Sequence, residues 1–167
     1  NRACEIQYRR IAPFTQVIGS STVQVYTYSI TVIRYTDNGP GVADRCKDTV
    51  YFGDGTKAAV PRINGPTNSC NCGTVNAVAV GCGSVISNNF SYTVKYNVYS
   101  VIHTYSGPGN YIISSGDYSR NSGIHNIPNS SNFPSYCEAL LMINSLTDRN
   151  TSPILSNPPA QQGVVGA

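Results

Sequence analysis

The sequence predicts an all-β protein: an antiparallel β-sandwich with disulfides, a Gly/Cys-rich insertion loop and an extended C-terminal arm. Three observations lead there. Two long runs, Ser21 to Tyr35 and Tyr92 to Tyr105, are rich in Val, Ile, Thr and Tyr and alternate in polarity, the mark of half-buried strands. Turn signals at Gly53-Asp54-Gly55 and Pro108-Gly109 punctuate apolar runs, as hairpins require. Charged residues are only 11% of the chain, beside 12 Tyr and no Trp, which excludes a disordered or coiled-coil chain.

The first strand spans Cys4 to Arg9 and is broken by Pro13. In the run from Ser21 to Tyr35, Tyr26, Tyr28, Ile30 and Val32 share one face, while Thr27, Ser29 and Thr31 share the other. Residues 37–41 form a turn cluster, followed by a short strand from Asp48 to Phe52. Gly53 and Gly55 suit positive φ, and Asp54 can hydrogen-bond the backbone two residues on. Pro61 marks the strand from Lys57 to Ile63 as an edge. Residues 64–89 are the insertion, with a minor strand over 75–80.

In the second long run Tyr92, Val94, Tyr96 and Val98 share a face opposite Thr93, Lys95 and Asn97. After Pro108, Gly109 is expected to supply the positive φ of a type II turn. Tyr111 is placed to fold over the sandwich end and bond a neighbouring backbone carbonyl. Tyr111 to Ser115 is the next strand, and residues 116–134 are loop. The segment from Tyr136 to Leu146 has helix formers, but its short apolar run between loops also suits a central strand, and it is read as one on the strength of the resemblance given below. The domain then covers 1–146, and the Pro- and Gly-rich stretch 147–167 is an arm or linker. Ile154, Leu155, Val164 and Val165 are the apolar handles with which it would contact its own domain or another subunit.

Six cysteines, Cys4, Cys46, Cys70, Cys72, Cys82 and Cys137, lack paired C-x-x-C knuckles, so disulfides in an oxidising compartment are expected rather than zinc. Cys4 pairs with Cys137 if their segments are neighbouring terminal strands, and Cys82 closes a loop with Cys70 or Cys72, leaving the other for Cys46. A net charge of +3, with no basic run beyond a solvated Arg9-Arg10, argues against a nucleic-acid partner. No segment approaches the roughly 20 apolar residues of a membrane span. The chain starts at Asn1, as a processed product, fragment or repeat of something longer would.

The order of the Phe52-Gly53-Asp54-Gly55 turn and His103-Thr104-Tyr105-Ser106-Gly107-Pro108-Gly109-Asn110-Tyr111 resembles the signature of an Ig/PKD-like β-sandwich. The likeness extends over Cys4 to Tyr8, Arg34 to Arg45, Asp117 to Ser130 and Ser152 to Pro159. In that order these segments resemble the PKD-like repeats of Bacteroidota cell-surface proteins associated with gliding motility and type IX secretion. The resemblance implies an exported, multidomain protein whose repeats serve as stalks and adhesive surfaces without assigned catalytic residues. The extra cysteines and the 64–89 insertion depart from that pattern.

The chemistry-bearing residues are dispersed. His103 in a strand and His125 in a loop are the only histidines, and no nucleophile, base and orienting group stand together, so no catalytic residues are expected. No resident metal is expected, though Asp37, Asp44 and Asp117 could build a calcium site with loop carbonyls at a sandwich end, the alternative being turn capping. Asn89, Asn129 and Asn150 stand in Asn-x-Ser/Thr triplets, and Thr49 follows Asp48 as in a bacterial O-glycan acceptor. The expectation is a non-enzymatic extracellular structural or adhesive module of a bacterial cell-surface protein. Its partners would be neighbouring copies or domains and surface glycans. A filament subunit joined through the C-terminal arm and a carbohydrate-binding module are the alternatives.

Overall fold

The computed structural model describes residues 3–37, 43–65, 78–80, 83–86, 94–118, 120, 122, 126–144 and 150–154. Their strands are β1 (Ala3–Arg10), β2 (Thr15–Ile18), β3 (Ser21–Gln24), β4 (Tyr26–Asp37), β5 (Ala43–Arg45), β6 (Lys47–Tyr51), β7 (Lys57–Pro61), β8 (Val78–Val80), β9 (Ser84–Ile86), β10 (Val94–Tyr105), β11 (Gly109–Asp117) and β12 (Ser135–Ile143). Sheet one has the order β1-β4-β10-β9 and sheet two the order β12-β11-β6-β7, both antiparallel. The hairpin β2-β3 and the pair β5-β8 stand outside them. The protein is an all-β sandwich.

Alternation explains the layers. The even residues Tyr28, Ile30 and Val32 of β4 are fully buried. They join Val50, Phe52, Val60, Ile113 and Leu141 of the opposite sheet in one core. Segment 135–143 is a strand despite its helix formers, because Leu141 and Ile143 face this core while Leu140 and Met142 face outward, but it is an edge strand of sheet two and not the central strand expected.

The sandwich is tied at both edges. Cys4 on β1 is bonded to Cys137 on β12, 133 residues away, as expected. At the other edge Arg62 bridges to Tyr99 of β10, and the Ile63 amide donates to the Val98 carbonyl. Cys46 is buried and disulfide-bonded; Cys70, Cys72 and Cys82, and the pairings proposed for them, lie outside the described residues.

Several expectations need correction. The run from Ser21 is two strands: the chain turns at Val25, whose amide donates to the Phe14 carbonyl, so Ser21–Gln24 pairs with Thr15–Ile18 instead of continuing β4. Gly109 does not take a positive φ. It opens β11 opposite Ile143, and a Cβ there would meet the Tyr111 ring at 3.1 Å. Tyr111 does fold back, donating its hydroxyl to the Gly107 carbonyl at 2.9 Å. Arg10 is buried rather than solvated, with its guanidinium over the Phe14, Tyr26 and Tyr28 rings.

The turn after β6 behaves as its residues dictate. Gly53 and Gly55 have φ of 83° and 90°, and Asp54 accepts from the Thr56 amide at 2.9 Å. A Cβ on Gly53 would lie 2.5 Å from the Ile112 amide nitrogen of β11, whereas one on Gly55 meets open space. Gly53→Ala is therefore expected to lower stability by about 1–3 kcal/mol, and Gly55→Ala by less, in urea denaturation of the two variants side by side.

Candidate functional site

The polarity of the sandwich interior changes along its length. On β4 the inward residues run Tyr28, Ile30, Val32 and then Arg34, Thr36. On β10 the inward residues include Tyr105 and Tyr99 and then Asn97, Lys95. The antiparallel register sets Asn97 opposite Arg34 and Lys95 opposite Thr36, so one end of the interior is a patch of charge. The face of β10 that carries Lys95 and Asn97 is therefore an inner one, contrary to a hydropathy reading that ranks Val, Tyr and Val as the core side. The reversal has a local cause: Lys95 and Asn97 each meet a partner there.

Arg34 and Asp48 cross between the sheets. Arg34 Nε donates to Asp48 Oδ2 at 2.5 Å, and both side chains are almost wholly buried. Ser115 on β11 closes the triangle: its hydroxyl accepts from Arg34 Nη2 at 2.6 Å and donates to Asp48 Oδ1 at 2.9 Å. Strand β5 supplies two further pairs. Lys95 Nζ lies 2.5 Å from Asp44 Oδ2, with side-chain exposures of 1% and 0%. Asp44 Oδ1 accepts from Thr36 Oγ1 and Asn97 Nδ2, both at 3.1 Å. Arg45, next along β5 and pointing the other way, makes a two-pronged contact with Asp117 of β11 at 2.8 Å per prong. The Tyr99 hydroxyl donates to the Arg45 carbonyl at 2.7 Å. Such burial is tolerated because each charge has an opposite neighbour and Asp44, Asp48 and Arg34 have further hydrogen bonds, although Arg34 Nη1 is buried without one.

A smaller cluster sits where the Asp54 turn meets β10. His103 stacks on Phe52 with centroids 3.9 Å apart, and its Nε2 lies 2.7 Å from Asp54 Oδ2. Burial raises the Asp54 carboxyl, but hydrogen bonds from Thr56 and His103 outweigh it and hold the group below the usual carboxylate range. Here His103 braces a turn, with one carboxylate and two aromatic rings around it.

The outer face of sheet two differs from an ordinary solvated face. Ile112 and Leu140 are directly opposite across β11 and β12. With Met142, Tyr136 and Tyr51 they form an exposed apolar and aromatic surface, each residue about half accessible. Residue parity alone sets it: the same alternation that buries Ile113 and Leu141 turns these outward. Glu138 is exposed on the same face, between Tyr136 and Leu140 on β12, and sets one charge among these residues.

The sequence-selected residues are scattered over this frame. Asp44 and Asp117 are committed to Lys95 and Arg45, and Asp37 ends β4 opposite Val94, so the three carboxylates do not converge on one calcium position. Among the described residues no group of three or more His, Cys, Asp or Glu side chains is placed to hold a metal. Thr49 is half-buried on β6. Asn129 is exposed in a left-handed conformation before a 3-10 turn at Ser130–Asn132. The Asn150 amide donates to the Met142 carbonyl. Ile154 is exposed just past Ser152, whose amide donates to the Tyr8 carbonyl of β1 at 2.9 Å, so the start of the arm lies on its own domain. Asn89, His125, Leu155, Val164 and Val165 lie outside the described residues. Sequence reasoning missed Arg34, Lys95, Asp48 and Ser115; the available signal was charge set at inward parity in two long strands.

No protein-family profile, no curated protein and no solved structure matches the chain. Among the described residues no helix is long and apolar enough to cross a membrane.

Two outcomes follow from the interior. Asp48→Ala leaves Arg34 buried without its counter-charge and is expected to cost about 3–5 kcal/mol in denaturant unfolding, while Arg34→Met combined with Asp48→Leu restores most of the loss. Burial pushes the hydroxyls of Tyr99 and Tyr105 well above their ordinary value, and that of Tyr35 up to about 12. The unfolded chain ionises its tyrosines near pH 10, so this contribution to stability is complete below about pH 10 and is lost as pH climbs toward the native values. Tyrosinate absorbance should show a late step for these residues that coincides with loss of the far-UV β signal.

Proposed function

We propose that the chain is a non-enzymatic, extracellular structural or adhesive module of a bacterial cell-surface protein. The observation that carries this reading is the apolar outer face of sheet two, with Ile112, Leu140, Met142, Tyr136 and Tyr51 half open to solvent. Aromatic and aliphatic side chains on a flat, rigid sheet bind by area and need no reacting group. The disulfide between Cys4 and Cys137 supports an oxidising compartment outside the cell. The interior ionisable groups are engaged with one another, Arg34 with Asp48 across the two sheets and Lys95 and Asp117 with residues of β5, a use that suits cohesion of the module itself. The likeness of the turn segments to PKD-like repeats of Bacteroidota surface proteins points the same way.

One observation favours a second reading, a filament subunit. Ser152 already bonds to β1, an edge strand of sheet one, in the manner of an added strand, and a longer stretch of the arm could do the same on the next copy.

Adhesion of protein-coated beads to surfaces carrying bacterial polysaccharide or a second copy of the chain tests the main reading. Ile112→Asp with Leu140→Lys should abolish adhesion while thermal unfolding stays that of the parent. Adhesion that survives both changes, or a parent that adheres to neither surface, removes it. Sedimentation of the chain shortened to residue 154 separates the second reading: loss of concentration-dependent polymers supports a filament, and a parent that is monomeric throughout ends that idea.

A further inference from the structure

Among the ionic contacts of the interior, one has the geometry of a reaction. Lys95 and Asp44 are sealed from water, with Nζ 2.5 Å from Oδ2. Cγ of Asp44 is one covalent bond beyond Oδ2, so the amine is held beside the carbon that it would attack. The other carboxyl oxygen, Oδ1, receives two donors, Thr36 Oγ1 and Asn97 Nδ2, each at 3.1 Å. The amide of Asn97 is itself oriented: its Oδ1 accepts from Arg62 Nη1 at 3.1 Å, which turns Nδ2 toward Asp44. One oxygen of the carboxyl is thus held by donors fit to stabilise negative charge, and the other faces the amine.

We propose that Lys95 and Asp44 join in an intramolecular isopeptide bond, formed by the folded chain itself. The ammonium first passes a proton to Oδ2 across their hydrogen bond, giving a neutral amine and a neutral carboxylic acid. The Nζ lone pair attacks Cγ, and the carbonyl electron pair moves onto Oδ1 between Thr36 and Asn97. A second proton passes from nitrogen to Oδ2. The Cγ–Oδ2 bond breaks, water departs with that bond's electron pair, the carbonyl re-forms at Oδ1, and one hydrogen stays on the amide nitrogen. Ammonium plus carboxylate becomes amide plus water; charge and atoms balance, and neither an oxidant nor a co-reactant takes part. The product ties β10 of sheet one to β5, and it replaces two buried charges by one neutral amide.

Mass spectrometry of the full-length folded chain after disulfide reduction tests the proposal. The expected mass is one water below that of the sequence, with a branched proteolytic peptide joining the segment of Lys95 to that of Asp44. Lys95→Met keeps the length of the side chain without the nucleophile and returns the mass to the sequence value. Asp44→Asn keeps the shape and, where it reacts, loses ammonia instead of water. Asn97→Ala or Thr36→Val leaves both reacting groups and should slow bond formation after refolding by about 10²-fold or more. A reduced parent chain at full sequence mass, or a lost water that maps elsewhere such as the Asp54-Gly55 dipeptide, overturns it. If Lys95→Met does not fold, the branched peptide of the parent decides alone.

Discussion

The charged groups at one end of the interior constrain everything around them. A carboxylate such as Asp48, taken out of water between two sheets, is tolerable only beside a cation and further donors. Arg34 must therefore extend inward from β4, Ser115 must stand opposite on β11, and the two sheets must keep the spacing that lets these atoms touch. A one-residue slip of either strand would turn its charged group to the outside and strand the other within. Burial of this kind favours one register over its neighbours more than it adds net stability.

The two halves of the interior divide this work. Around Tyr28, Tyr105, Ile113 and Leu141 the sheets meet through non-directional apolar contact, with edge-to-face tyrosine rings. Around Arg34, Asp48 and Ser115 they meet through directional bonds, and β5 is held beside them because its successive residues Asp44 and Arg45 answer opposite neighbours. Strand β5 is short and, among the described residues, pairs with β8 alone. Its side chains compensate for the few backbone bonds that it can make.

How far the sequence was legible depended on which force dominated locally. Period-two alternation revealed β4 and β10 as strands, and in β4 it also gave the buried face of Tyr28, Ile30 and Val32. The Asp54 turn was legible because its geometry is written in two glycines and one short acceptor. The break at Val25 was not, since a β-rich run gives no sign of where it leaves one partner for another. Nor could hydropathy find the charged interior: Lys95 and Asn97 read as a solvent face until Asp44 and Arg62, distant in sequence, are brought beside them. The exposed Ile112–Leu140 face was hidden because an apolar run such as that of β12 does not say which of its residues point outward.

Closure by Cys4 and Cys137 has one further meaning. The two residues belong to the outermost strand of each sheet and enclose a loop with a sequence separation of 133. Tension applied from outside this loop at both ends would pass through sulfur and leave the enclosed ladders unloaded. Under traction the fold could then lengthen only by what lies before Cys4 and after Cys137, and it would hold its shape like a rivet set in a rope.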